Sequence, residues 1–317
     1  MSAPDLLTAG EALVSFRSND AAPTGGGAWQ AHVAGAEANV AIGMARLGHR
    51  AQWVGAVGDD DFGRLVSREL RAEDVDVSEV VVDSQRPTGL MFVARRTADL
   101  ARVDYRRAGS AGSALRRDHV EPALTRRPRL VHVTGITPAL SPEGRDLVGW
   151  LVESASAAGA FVSLDVNYRG RLWTRGEARD ALEPLTRHTK LVVASEDELD
   201  LVARATTQEE AVQALLGRGV EQVVVKRGAG GATAWTSNGR VDAPALAVTA
   251  VDTIGAGDAF TAGYLSGVLD GLPVAERLRR GNVLGAFCVS THGDWQGLPS
   301  REELVLLDGH EPGGALR

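Results

Sequence analysis

Asp252-Thr253-Ile254-Gly255-Ala256-Gly257-Asp258-Ala259-Phe260 sets two glycines around one alanine directly before an aspartate. The residues that follow, through about Leu269, read as a helix, so Gly255-Ala256-Gly257 forms its first turn. The first N–H groups of a helix lack intrahelical acceptors and carry partial positive charge, which suits an anion. Glycines there let a ligand approach the backbone closely. Asp258, beside that anion site, is placed to orient a hydroxyl and accept its proton while a phosphoryl group is transferred. The plainer reading is a glycine-softened turn with Asp258 as a first-turn helix carboxylate. The motif alone leaves both readings open.

Upstream of this motif, short apolar runs alternate with helical stretches. The strands are predicted at Gln52–Val57, Leu130–Thr134, Phe161–Asp165, Leu191–Ala194 and Gln222–Val225. Helices are predicted at Glu37–Leu47, Phe62–Arg71, Glu143–Ala158, Ala178–Leu185 and Glu209–Leu216. Such alternation predicts an α/β fold, a mostly parallel sheet with helical crossovers on both faces. Leu191-Val192-Val193-Ala194 is apolar throughout, as a strand buried on both faces requires. Leu13–Phe16, Thr88–Arg96 and Ala101–Arg107 read as strands without intervening helices and predict a small antiparallel flap. Ser237-Asn238-Gly239 supplies a hairpin turn within Ala232–Ala243. The expected organisation is one domain over residues 1–307, with lid strands at about 11–17 and 86–108 and a flexible tail over 308–317.

Composition removes several functions. Of 317 residues, 34 are basic and 41 acidic, a formal net charge of −7, and no Lys/Arg-rich run provides a footprint for nucleic acid. Only Lys190 and Lys226 are lysines, so 32 of the basic residues are arginines and no Gly-Lys-Ser/Thr phosphate loop exists. No Gly-x-Gly-x-x-Gly follows the first strand, which argues against a dinucleotide-binding dehydrogenase. A single cysteine, Cys288, excludes an internal disulfide and reads as a buried thiol, and no Cys/His cluster has zinc spacing. His132 lies within an apolar strand and reads as a core histidine, while Trp150, Trp173 and Trp235 read as packing residues. No apolar stretch has the roughly 18 residues that span a bilayer, and no leader pattern opens the sequence. A soluble, cytoplasmic protein without membrane or nucleic-acid partners is expected.

With these residues in view, the chain resembles the ribokinase-like (PfkB) carbohydrate kinases. The Asp252–Phe260 run matches the second characteristic motif of that family at every position. The first motif is met by Gly35-Ala36-Glu37-Ala38-Asn39-Val40-Ala41 and Leu47-Gly48, with Ala34-Gly35 where Gly-Gly is usual. Ser195-Glu196-Asp197-Glu198 stands where the family has Asn-x-x-Glu, and Lys226-Arg227-Gly228-Ala229-Gly230-Gly231 matches its glycine turn over the nucleotide phosphates. The resemblance implies a three-layer sandwich with a β flap, and a kinase that uses ATP and Mg²⁺. It gives Asp258 as base, with Gly255, Ala256 and Gly257 as the anion hole. It places ATP against Ser195, Lys226, Gly228, Gly231, Asn282, Gly285 and Ala286, and Glu198 on the metal through water. Carbonyls of Asp252 and Thr253 are also implied for a monovalent cation such as K⁺.

Further motifs are similar to those of 2-keto-3-deoxygluconate kinases. They are Tyr105-Arg106-Arg107, Gly109-Ser110-Ala111-Gly112-Ser113-Ala114, Gly135-Ile136-Thr137-Pro138-Ala139-Leu140 and Asp165-Val166-Asn167-Tyr168-Arg169. The resemblance assigns Tyr105, Arg107 and Arg169 to the carboxylate end of an acidic sugar, with Gly35, Asn39 and Ile136 along the rest of it. Guanidinium forks pair bidentately with carboxylates, which agrees. The terminal hydroxyl is the expected acceptor. A kinase for a neutral sugar or nucleoside, and a non-catalytic sugar or nucleotide sensor on the same fold, are the alternatives. A homo-oligomer formed through the lid is expected.

Overall fold

Each apolar run that was expected to be buried on both faces becomes a strand of one central sheet. A computed structural model describes residues 3–18, 27–95 and 101–307. The chain begins with β1 (Leu6–Ala9), β2 (Leu13–Ser18), β3 (Gln30–Ala34), α1 (Ala36–Arg46), β4 (Ala51–Val54) and β5 (Ala56–Gly58). It continues through α2 (Asp61–Ala72), β6 (Val81–Asp83), β7 (Leu90–Arg95), β8 (Ala101–Arg106), α3 (Arg117–Thr125), β9 (Leu130–Thr134), α4 (Thr137–Leu140), α5 (Pro142–Ala157) and β10 (Phe161–Asp165). The last part holds α6 (Arg175–Leu182), β11 (Leu191–Ser195), α7 (Gln208–Gly217), β12 (Gln222–Lys226), β13 (Ala232–Thr236), β14 (Gly239–Ala243), α8 (Ala256–Leu269) and α9 (Val274–Val289).

The main sheet runs β14-β13-β12-β11-β10-β9-β1-β4, parallel from β4 to β12 and antiparallel at the β12–β13–β14 edge. Alternate side chains feed two cores. Leu7, Val131, Val133, Val162, Leu164, Val192 and Val223 pack beneath α5, α6 and α7. Leu6, Leu130, Leu191, Val193 and Val224 pack against α1, α8 and α9. The three layers and the parallel sheet agree with the expected fold. From β1 the chain passes to β4 on one side and then to β9 on the other, so the order reverses between β1 and β9. Ligands of open α/β sheets bind at the carboxyl ends of strands beside such a switch point.

The flap is a separate four-stranded sheet ordered β3-β2-β7-β8. It is mixed, not antiparallel as expected, because β2 pairs with β7 in parallel. Between them the chain returns through α1, β4 and α2 of the main body, so β7 enters the flap from the same end as β2. Three strands escaped the sequence reading, one of them the three-residue β6. Leu6-Leu7-Thr8-Ala9 is only four residues long, and Gln30-Ala31-His32-Val33-Ala34 carries little β propensity until β2 pairs with it. The single strand expected over Gln52–Val57 is broken at Gly55, where a side chain would strike the Trp53 ring at 2.1 Å. The expected tail over 308–317 lies outside the described residues, as do residues 19–26 and 96–100, which include the end of the strand expected at Thr88–Arg96.

Leu164, fully buried in the sheet's centre, tests this packing. Leu164→Ala should lower the unfolding free energy by about 2–5 kcal/mol in urea titration. A loss below about 1 kcal/mol would show that this face of the sheet is loosely packed.

Candidate functional site

Helix α8 begins where the chain has no freedom for a side chain. Gly255, its N-cap, has φ +85°, and a Cβ there would lie 2.3 Å from the Asp294 carbonyl oxygen. Both constraints demand glycine. The open first turn of α8 therefore faces the carboxyl ends of β10, β11 and β12. Asp258, one turn in, is 8% exposed. Its Oδ2 accepts from Asn39 Nδ2 at 2.8 Å, and its Oδ1 accepts from Asn167 Nδ2 at 3.2 Å. Asn39 comes from α1; Asn167 follows β10 and adopts a left-handed φ of +40°, which asparagine tolerates better than most residues.

A second charge pair lies beneath. Lys226, at the end of β12, reaches Asp165 Oδ2 at 2.6 Å, and Thr261 of α8 donates to the same oxygen at 3.0 Å. Burial pushes the Asp258 carboxyl up to about 6, with nearby Asp165 adding to the shift and the Asn39 hydrogen bond, Arg169 and Lys226 opposing it. Glu37, wholly enclosed on α1, is likewise pushed up to about 6 by burial. Its Oε1 accepts from Thr134 at 2.7 Å and Thr137 at 2.8 Å. Glu198 is buried and bridges two backbone segments, accepting from Tyr168 N at 2.7 Å and Ser195 N at 2.8 Å.

Three hollows meet at Asp258 and the α8 cap. A chamber of about 390 Å³ is lined by Tyr105, Arg169, Glu198, Lys226, Gly255, Gly257 and Asp258. A narrower space of about 80 Å³ continues it under the flap, past Gly35, Asn39, Arg107, Ile136 and Asp294. On the other side a cleft of about 440 Å³ is lined by Ser195, Lys226, Gly228, Gly231, Ala256, Asn282, Gly285 and Ala286. Arg169 and Tyr105 line the first two spaces; Ser195, Lys226 and Gly257 line the first and third. The residues expected at the sugar, at ATP, at the anion hole, as base and at the metal each border at least one of these three hollows; Asp252, expected to offer a carbonyl to a cation, borders none of them. A carboxylate at the junction of two such compartments can exchange a proton with a group in one while an anion from the other meets the helix cap.

The two arginines differ. Arg107 is ion-paired with Glu11, whose side chain is wholly buried, with Nε 2.6 Å from Oε2, and Ser110 donates to the other oxygen. Its guanidinium also stacks 5.3 Å from the Tyr105 ring centroid. Arg169 meets only the Tyr168 carbonyl, at 3.3 Å, and pairs with no carboxylate among the described residues. Met91 lines both the chamber and the narrower space, while Phe92 turns outward against Phe16 and Trp29. Glu11, Asn167 and Asp165 were not singled out as site residues. Asp165 and Asn167 stand at a strand's carboxyl end, a position that signals a site; Glu11 gave no such signal. His132 and Cys288 are core residues: burial lowers the His132 ring to about 4 and raises the Cys288 thiol to about 12.

Asp258 and Glu37 both have folded-state pKa values above those of the unfolded chain. Their protonated forms favour the fold, so this stabilisation is complete below about pH 4 and is lost as pH rises through about 6. Asp258→Asn removes one of these titrations. Relative to the parent protein the variant should gain stability, by about 3 kcal/mol at most, on going from about pH 4 to about pH 8. Urea titrations at the two pH values measure it; a pH-independent difference would mean that Asp258 titrates like an exposed carboxylate.

Known proteins are similar to this chain over most of its length. The 2-dehydro-3-deoxygluconokinase of Bacillus subtilis (strain 168) is 35% identical over 314 residues, covering 95% of this chain and 94% of that protein. The 2-dehydro-3-deoxygalactonokinase of Haloferax volcanii is 34% identical over 279 residues, covering 87% of this chain and 88% of its own. A solved structure described as a putative ribokinase II from E. coli, in complex with ATP and Mg²⁺, superposes with a TM-score of 0.89 at 27% identity, covering 97% of this chain and 99% of its own. The family model for pfkB family carbohydrate kinases matches residues 4–301. The chain belongs to the pfkB family of carbohydrate kinases.

Proposed function

We propose that this carbohydrate kinase transfers the terminal phosphoryl group of ATP to the terminal hydroxyl of 2-keto-3-deoxygluconate or a close acidic-sugar relative. One observation carries the choice of an acid. Arg169, between the chamber and the space under the flap, is a guanidinium without a carboxylate partner among the described residues, whereas the charge of Arg107 is offset by Glu11. A sugar carboxylate supplies the missing partner, with Tyr105 beside it. Similarity to kinases of two such deoxy acids supports the same reading.

In this reading the sugar lies under the flap against Gly35, Asn39 and Ile136, with its terminal hydroxyl beside Asp258. The hydroxyl proton passes to Asp258 as the sugar oxygen bonds the phosphorus and the bond to the ADP oxygen breaks. The N–H groups of Gly255, Ala256 and Gly257 meet the charge on the transferring group. ATP occupies the cleft past Ser195, Lys226, Gly228, Gly231, Asn282, Gly285 and Ala286. Phe260, Leu246, Val248 and Val289 give that cleft an apolar wall suited to a flat base. Among the described residues no group of three or more His, Cys, Asp or Glu is arranged to hold a metal. A single carboxylate, Glu198, lines the chamber beside Asp258, and that fits Mg²⁺, which takes few protein carboxylates and arrives on nucleotide phosphates; Glu198 would meet it through water. When bound, the ion neutralises phosphate charge. The flap excludes water that would otherwise hydrolyse ATP. Pairing of two copies through the flap's outer face, where Phe16, Phe92 and Trp29 cluster, belongs to the same proposal.

Two kinetic results are expected. Arg169→Ala should raise KM for 2-keto-3-deoxygluconate by about tenfold or more while barely changing that for fructose or ribose; equal effects on acid and neutral sugars would remove the carboxylate assignment. Asp258→Asn should abolish turnover with ATP binding retained, and kcat/KM of the parent enzyme should climb with pH to an inflection near 6 as Asp258 loses its proton. A variant with near-normal kcat would exclude Asp258 as the base.

A further inference from the structure

The flap is fastened to the start of α8 by a buried triad of charges. Arg17 of β2 reaches across with both terminal nitrogens, Nη1 to Asp252 Oδ2 and Nη2 to Asp294 Oδ1. All three side chains are at most 10% exposed, so the attraction is little screened. Removing the cation would leave two carboxylates uncompensated in a dry setting, a far larger disturbance than losing a surface pair.

Each carboxylate is one contact from the α8 cap. Asp252 Oδ1 accepts from Ile254 N at 3.1 Å, which shapes the residue before Gly255. The backbone of Asp294 is the surface against which Gly255 is seated. Asn39, which donates to Asp258, lines the narrower space under the flap together with Asp294. Both carboxylates of the triad are therefore joined to the groups that surround the junction of the three hollows.

We propose that Arg17 is a positioning residue that supplies, from within the chain, the cation holding the Asp252–Gly255 loop to the Asp294 segment, and so keeps the α8 cap in the shape that receives the phosphoryl group. This rests on reading the cap as the phosphoryl site. Because a guanidinium already neutralises these carboxylates, no dissolved monovalent ion is needed there. The same two ion pairs couple the flap to the cap, so a shift of β2 is transmitted to Gly255.

The test uses the full chain and three readouts. The rate of the parent enzyme should change by less than about twofold when KCl replaces an equal ionic strength of a bulky organic salt. Arg17→Ala should lower kcat by about tenfold or more, and millimolar guanidinium or K⁺ should restore part of that loss in the variant while leaving the parent unaffected. Arg17→Lys, which keeps a cation, should retain more turnover than Arg17→Ala and should not respond to KCl. Circular dichroism checks folding; if Arg17→Ala does not fold, the Lys variant decides, and a folded but inactive Lys variant overturns the proposal. It is also overturned by a parent enzyme that requires K⁺, by a normal kcat in Arg17→Ala, or by a folded Ala variant whose loss neither cation repairs. If the cap is not the phosphoryl site, Asp258→Asn keeps its turnover, a result that none of the Arg17 outcomes produces.

Discussion

Asp258 is held by two amides from different layers of the molecule, Asn39 of helix α1 and Asn167 of the loop after β10. Neither donor can reach it unless α1 and α8 lie side by side over one face of the sheet and β10 ends where it does. The close approach of these helices depends in turn on small residues. A side chain at Gly43 of α1 would lie 2.7 Å from Ala262 Cβ of α8, and one at Gly263 would strike the backbone of α9 at 2.7 Å. The carboxylate's position thus follows from packing between helices, and its raised pKa follows from the burial that this packing imposes.

Around that point the protein concentrates acid groups and answers each one differently. Glu11 meets Arg107, Asp165 meets Lys226, and Asp252 and Asp294 share Arg17. Glu37 has two hydroxyl donors and no cation, and burial raises its pKa. Glu198 accepts one backbone N–H on each oxygen. Among the described residues, charge compensation of this kind leaves Arg169 as the guanidinium facing the chamber without a carboxylate.

The central strands and the start of α8 were legible because they rest on local pattern: apolar runs, glycines around a helix start, and strand ends that carry polar residues. Leu130–Thr134 and Phe161–Asp165 fall where the runs predict them. The flap was legible as strands but not in its pairing, since β2 and β7 become neighbours only through elements lying between them in the chain. Glu11–Arg107 could not be read because its members are 96 positions apart. Arg17 was hidden differently: among 32 arginines nothing local separates a buried one from a solvated one. Asn167 carried a visible signal, its place just beyond a strand, but its aim at Asp258 depends on a left-handed backbone that sequence does not announce.

The reversal of strand order between β1 and β9 also has a meaning for how the molecule is made. β1 precedes both of its partners in the chain and finds one neighbour in β4, through Leu6 opposite Ala51. Its other edge waits for Leu130, after the whole flap segment has been synthesised. During that interval a short, largely apolar strand presents unpaired backbone groups to the cellular milieu, the condition under which nascent chains associate wrongly. A strand that is paired on both sides in the finished sheet, one place in from its β4 edge, is therefore exposed in the growing one, and the time needed to translate residues between β4 and β9 sets how long that exposure lasts.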